Sequence, residues 1–384
     1  MAKWLLPEYI ADVLPAEARH LEALRRGLLD LYGSYGYELV MPPLLEYLDS
    51  LLTGTGQDLN LRTFKLVDQL SGKTMGLRAD ITPQVARIDA HLLNREGVVR
   101  LCYAGSVLHT RPAGMNATRE PLQVGAELYG HAGLEADLEI AELALASLAL
   151  VQADSPRLDL SHMGVIRALL QTLPDPELAD EVVAMVRRKD KPGLRDCPGL
   201  PEVTRGALQT LCGLYGGIEI LQQARVTLPE QAGIHQALDE LQTLAQALGA
   251  RGAQITIDLG EMRGYQYHSG IVFAAYCHNI PSAVIRGGRY DQVGQAFGRA
   301  RAATGFSLDL RELAALAPTP PAAPAILAPW SDETDLQTLI AHLRVPGNTV
   351  VQALPGHEPE LQEYRIDRVL KKTAQGWQVT FLEK

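Results

Sequence analysis

Residues 263–273 read Arg-Gly-Tyr-Gln-Tyr-His-Ser-Gly-Ile-Val-Phe, and residues 287–291 read Gly-Gly-Arg-Tyr-Asp. In the first stretch a cation, hydroxyls and an imidazole lead into an apolar tail, which predicts a strand that carries polar groups toward a small polar ligand. The second stretch follows the apolar run 280–285. Its two glycines predict a turn that lets backbone pass closely beneath whatever the first strand holds.

Two segments upstream supply matching chemistry. Residues 122–129, Leu-Gln-Val-Gly-Ala-Glu-Leu-Tyr, alternate strictly, so Leu122, Val124, Ala126 and Leu128 face a core while Gln123, Gly125, Glu127 and Tyr129 share the other face. There an amide and a carboxylate flank a glycine that leaves floor space. In residues 77–87, Thr82 reads as an N-cap with Pro83 at the first helical position, and Asp80 stands just before that helix. A carboxylate so placed either caps the helix or holds an ammonium group.

The remaining segments order into an α+β pattern. A helix from Pro15 puts Leu21, Leu24, Leu28, Leu31 and Tyr35 on one face and stops at Gly36, and a strand at 37–41 ends at Pro42-Pro43. Strands are expected at 64–67, 74–78, 98–108, 157–161 and 255–259, with a helix at 134–152 and a last helix after residues 305–310. From Pro174 to about Gly249 the pattern is helical and broken by prolines and glycines, which predicts a helical insertion outside the sheet. The predicted organisation is a core at 1–316 with the insertion at about 174–249, a stiff proline-rich linker at 317–324, and a small αβ appendage at 325–384. The appendage should hold strands near Ile326, Val350 and Val379 and a helix at 332–343.

Composition excludes several functions. With 47% hydrophobic and 21% charged residues the chain is globular rather than disordered. A formal charge of −10 argues against a general grip on nucleic acid, which needs clustered cations; residues 187–191, Arg-Arg-Lys-Asp-Lys, are the one basic cluster, either a solvated helix end or a local anion site. The four cysteines are far apart, with no Cys-x-x-Cys pair, and read as reduced buried thiols rather than metal ligands. Gly72-Lys73-Thr74 and Gly54-Thr55-Gly56 lack the remaining glycines and the helix that phosphate and dinucleotide loops require. No cofactor and no metal are called for. Neither a leader nor a membrane span is evident, so a cytoplasmic protein is expected.

Together the segments resemble the catalytic core of class II aminoacyl-tRNA synthetases of the histidyl type, an antiparallel sheet flanked by helices. The resemblance covers about residues 5–315. The helix and strand ending at Pro42-Pro43 are similar to the family's first motif, which builds a dimer interface; residues 102–130 resemble the second motif and 305–313 the third. Residues 263–273 and 287–291 resemble the two signatures that hold histidine. The resemblance therefore implies a histidine pocket: Asp80 and Thr82 for the α-amino group, Gln123 and Glu127 along the wall, Arg263 near the carboxylate, and Tyr267 and His268 beside them. Gln266 and His268 depart from the family's Asp and second Tyr, which implies altered imidazole recognition. The second motif's phosphate-binding arginine falls at His109 or Leu108 and the third motif's at Glu312, with Asp309 at a glycine position. Without those cations, charge developing on ATP phosphates is not stabilised.

A synthetase fold without its ATP cations or a full anticodon-binding domain resembles the regulatory subunits of ATP phosphoribosyltransferase. That resemblance implies a non-catalytic chain that activates a short-form catalytic subunit in a hetero-octamer and makes it subject to feedback inhibition by L-histidine, with no tRNA and no membrane as partners. A divergent histidyl-tRNA synthetase and a free histidine-sensing module are the alternatives. Histidine would sit in the relic pocket or at a subunit interface.

Overall fold

Proline at its first position starts the helix Pro15–Ser34, which buries Leu21, Leu28 and Tyr32 on one face. Tyr32 takes the core position, and Tyr35, expected on that face, is exposed. Gly36 then adopts a positive φ of 84° and turns the chain. The computed structural model describes residues 4–53, 57–114, 117–171, 173, 175–278, 280–319, 321, 323–357 and 364–382. Residues 54–56, Pro174, and Pro320 and Ala322 of the 317–324 linker lie outside the described residues. The chain divides into two compact units, Met1–Pro318 and Thr319–Lys384.

Strands of the first unit run in chain order as β1 Glu38–Leu39, β2 Leu45–Tyr47, β3 Phe64–Val67, β4 Thr74–Leu77, β5 Val99–Ser106, β6 Leu122–Tyr129, β7 Arg157–His162 and β8 Tyr215–Gly216. They continue as β9 Gln254–Asp258, β10 Ile271–Tyr276, β11 Ile285–Arg289 and β12 Ala303–Asp309. Nine of them form one sheet in the order β1-β5-β6-β12-β11-β10-β7-β9-β8, and β2-β4-β3 form a small separate sheet. The centre, from β5 to β7, is antiparallel throughout. Parallel pairs occur toward its margins, β1 with β5 and β7 with β9.

Helix Leu134–Leu150 packs on this sheet with Ile140, Leu143, Ala144 and Leu148 fully buried, and Pro15–Ser34 packs beside it. Burying each such leucine is worth about 1.5–3 kcal/mol, so this layer is a main source of the unit's stability. The helices Pro176–Arg187, Lys191–Asp196, Glu202–Leu211, Ile220–Thr227 and Ala232–Ala250 fill the stretch expected to be helical. One part of it departs from expectation. The glycine run at 213–217, read as a break, holds β8, which pairs with β9 and extends the main sheet.

Two further expectations are corrected at the signature stretches. Residues 263–270 form a looped segment of turns and bends rather than a strand, because β10 begins only at Ile271, where the apolar tail starts. Gly287 and Gly288 lie inside β11 and not in a turn. A Cβ at Gly287 would strike the Phe273 ring and the Gly305 carbonyl, so the glycine serves close packing within the sheet.

In the second unit β13 Ala325–Ala328, β14 Thr349–Gln352, β15 Ile366–Thr373 and β16 Gly376–Phe381 form a sheet in the order β14-β13-β15-β16. With the helix Thr334–Leu343 they bury Ile326, Leu336, Ile340, Val350 and Leu370. β15 was not expected.

Candidate functional site

On one face of the main sheet β6, β12 and β11 line up Glu127, Gly305 and Gly288 in register. The strict alternation of 122–129 sends Glu127 onto this face, and the glycines opposite keep it open. A Cβ at Gly305 would collide with Glu127 Oε2, and one at Gly125 with the Tyr103 hydroxyl. The resulting cavity, of about 160 Å³, is lined by Asp80, Thr82, Glu127, Tyr267, His268 and Tyr290 together with Arg286 and the β11 and β12 backbone.

Its polar groups are built in. Glu127 is 1% exposed and accepts hydrogen bonds from Tyr103 at 3.1 Å and from Tyr290. Burial outweighs those donors and pushes its carboxyl up to about 8, so the acid is mostly protonated at neutral pH. Tyr290 stacks on Tyr267 with ring centroids 5.0 Å apart. Burial also pushes the His268 imidazole down to about 4 and leaves it neutral. Two buried polar atoms, Tyr267 Oη and His268 Nδ1, have no hydrogen-bond partner among the described residues. Such atoms are costly when unpaired, and a ligand with hydrogen-bonding groups would satisfy them.

Asp80 is braced rather than free to swing. Its Oδ1 accepts from the Gln123 amide at 2.7 Å and from the Thr82 N–H at 3.1 Å. Thr82 is therefore not the cap that its position suggests. It is the first residue of helix Thr82–Arg87, and its hydroxyl bonds to that of Tyr103 at 3.0 Å. Gln123 stands behind Asp80 and also accepts from the Ile81 N–H at 2.9 Å, so it positions the carboxylate without lining the cavity.

Arg263 is placed elsewhere. Its guanidinium is held by Glu261 at 2.6–3.1 Å and by the Tyr276 hydroxyl at 2.9 Å, and it lines a second cavity of about 380 Å³. The two cavities share Asp80, Tyr267, His268, Arg286 and Gly287. Arg62 lines the larger one as well. Its Nη2 lies against the His109 ring, 2.8 Å from Nε2 and 3.2 Å from Nδ1, and Nε2 is also 3.0 Å from the Ala79 carbonyl oxygen. The position expected to lack a cation is thus a buried imidazole with a guanidinium from another segment against it. Asp309 accepts from the N–H groups of Arg311 and Leu122, at 3.0 and 3.2 Å, and caps the helix Leu310–Ala314; burial pushes its carboxyl up to about 6.

Sequence reasoning named Asp80, Thr82, Glu127, Tyr267 and His268, which the structure brings together around the smaller cavity. It missed Tyr103 and Arg286, and it placed Tyr290 only within the 287–291 signature without singling it out. Gly125 was the available signal for Tyr103, since it lies opposite Tyr103 in the sheet register. Among the described residues no cluster of His, Cys, Asp and Glu is arranged to hold a metal ion, all four cysteines are buried and free, and no helix is long and apolar enough to cross a membrane.

Comparison with known proteins identifies the family and the fold. Residues 9–313 match the family described as Histidyl-tRNA synthetase, and residues 323–380 match the ATP phosphoribosyltransferase subunit HisZ C-terminal domain. The chain is 61% identical over 378 residues to the ATP phosphoribosyltransferase regulatory subunit of Cupriavidus taiwanensis, covering 98% of both chains. It is 60% identical to that of Ralstonia nicotianae, covering 99% of this chain and 98% of the relative. A solved structure from Bacillus halodurans, described as an ATP phosphoribosyltransferase regulatory subunit/histidyl-tRNA synthetase, superposes with a TM-score of 0.83 at 26% identity, over 94% of this chain and 96% of the other. Histidyl-tRNA synthetase from a Nostoc species shares the fold, with a TM-score of 0.77 at 19% identity over 98% and 93% of the two chains. The chain belongs to the family of ATP phosphoribosyltransferase regulatory subunits, built on a histidyl-tRNA synthetase core.

Proposed function

We propose that this chain is the non-catalytic regulatory subunit of an ATP phosphoribosyltransferase. It binds a short-form catalytic subunit in the cytoplasm, activates it, and conveys feedback inhibition by L-histidine in the first step of histidine biosynthesis. The observation that carries this reading is identity of 61% to a regulatory subunit over 98% of both chains. A match of that length includes the appendage as well as the core.

The site's chemistry supports L-histidine as effector and the smaller cavity as its place. Asp80 offers a braced carboxylate to an ammonium group, and Tyr267 Oη and His268 Nδ1 offer unpaired polar atoms to an imidazole. The surroundings favour binding without turnover. Asp309 is used as a helix cap and Glu312 stands where the synthetase resemblance calls for a phosphate-binding cation. Binding becomes regulation only if histidine prefers one state of the complex, by typically ~1–3 kcal/mol. Exposed Leu39, Met41, Leu44, Leu45 and Tyr47 support self-association through the first motif, within a hetero-octamer.

The test is reconstitution. Purified chain added to the short-form catalytic subunit should raise phosphoribosyl transfer from phosphoribosyl pyrophosphate to ATP, and L-histidine should suppress it. An unchanged rate, with no complex formed, would sink the proposal. Histidine-dependent exchange of pyrophosphate into ATP by the chain alone would favour a synthetase instead.

A further inference from the structure

We infer that Arg286, and not Arg263, anchors the carboxylate of the amino acid held in the smaller cavity. This rests on the reading of that cavity as the histidine pocket and adds the residue that distinguishes an amino acid from its decarboxylated amine.

A zwitterion needs a cation at one end of its site. Among the described residues lining the smaller cavity, Arg286 is the one guanidinium, and His268 is neutral. Arg263 is unsuited on two grounds. It lines only the larger cavity, and its Nε and Nη2 donate already to both oxygens of Glu261 and to the Tyr276 hydroxyl. Arg286 lines both cavities and has no hydrogen bond or ion pair with any described residue. Its sheet neighbours on β10 and β12, Ala274 and Ser307, carry no charge and offer it no ionic partner. Arg286 is exposed, yet its guanidinium is crowded. Desolvation by the cavity walls and the nearby Arg263 cation push it below the ordinary arginine range, and the more weakly felt Glu312, Tyr276 and Glu261 offset only part of that. An entering carboxylate would relieve that repulsion.

The spacing suits a free amino acid. Gly305, opposite Glu127, and Ser307, opposite Arg286, are two residues apart on β12, and β6 and β11 flank that strand. With strands about 4.8 Å apart and a rise of about 3.3 Å per residue, the Cα atoms of Glu127 and Arg286 lie roughly 12 Å apart. Their side chains close most of that distance and leave room for one small molecule. Asp80 completes the set, since both of its hydrogen bonds fall on Oδ1 and Oδ2 has no partner among the described residues. The ammonium therefore goes to Asp80 Oδ2, the carboxylate to Arg286 and the ring toward Tyr267 and His268. A charge-assisted, two-pronged contact of this kind is what a guanidinium provides and an ammonium does not.

Calorimetric titration of the full-length chain with L-histidine and with histamine, which lacks the carboxylate, tests the assignment. The unaltered chain should prefer L-histidine by roughly tenfold to hundredfold, as expected for hydrogen bonds between charged groups. Arg286→Met should erase that preference by weakening L-histidine alone, Arg286→Lys should restore part of it, and Arg263→Met should leave it in place. Full preference persisting in Arg286→Met overturns the assignment and leaves the histidine pocket standing. Absence of saturable L-histidine binding to the unaltered chain overturns the pocket reading and the Arg286 assignment together.

Discussion

Gly305 and Glu127 are opposite partners in the β12–β6 ladder, and the space a Cβ would need at Gly305 is occupied by the Glu127 carboxyl. The cavity exists because this pair combines the smallest residue with a buried acid. Gly305→Ala should force Glu127 out of its contacts with Tyr103 and Tyr290, abolish L-histidine binding and cost about 1–3 kcal/mol through overpacking. Gly33→Ala provides the contrast, since it lies in helix Pro15–Ser34 with open space around it, and should stabilise by about 0.5–1 kcal/mol. Urea denaturation of both variants checks the opposite signs.

Glu127 also predicts a pH dependence. Its folded carboxyl, pushed up to about 8 from an ordinary 4.5, binds its proton more tightly than in the unfolded chain. The stability it contributes is therefore fully present below about 4.5 and is lost as pH rises through 8, by at most about 1.4 kcal/mol per pH unit. Glu127→Gln, which cannot ionise, should flatten this part of the profile. Denaturation midpoints of both proteins between pH 5 and pH 9 give the comparison, and parallel slopes would show that the acid is already ionised in the native state.

What the sequence disclosed follows from how local each signal is. Alternation in 122–129 is decided within eight residues, so the strand, its inward face and the place of Glu127 were legible. The loop at 263–270 was not, because hydroxyls and rings between glycines fit a strand as well as a turn, and Arg167 donating to its carbonyls comes from more than 95 residues away. β15 escaped because its charged residues, Asp367, Arg368, Lys371 and Lys372, mask the buried Leu370. Partners were hidden in the same way. The resemblance put Arg263 near a carboxylate, but nothing in the order of residues says that Glu261 takes its guanidinium first.

Arg289, inside the Gly-Gly-Arg-Tyr-Asp signature, looks like a ligand residue and instead holds the fold. It pairs with Asp137 at 2.6 Å, with side-chain exposures of 9% and 1%, and donates to the Gly133 carbonyl. Removing one member leaves a charge buried alone, so Arg289→Met should cost about 3–5 kcal/mol. The double variant Arg289→Met/Asp137→Leu should lose less than that single change, because replacing both charges with apolar groups avoids the unpaired ion. Additive losses in denaturant titrations would contradict this account.

Arg167 is a positioning residue for the ligand loop. From the helix Met163–Leu170 it donates to the carbonyls of Tyr265 at 3.1 Å and of His268, and its guanidinium lies 5.7 Å from the Tyr265 ring. These bonds fix the backbone on which Tyr267 and His268 are mounted. Arg167→Ala should therefore weaken L-histidine binding by about tenfold, the worth of one or two hydrogen bonds to a charged donor. A merely structural role would lower the melting temperature without singling out the loop. The distinguishing measurement is hydrogen exchange: amides of residues 264–269 should exchange faster in the variant while those of β6 and β12 stay protected, and uniform loss of protection would refute the assignment.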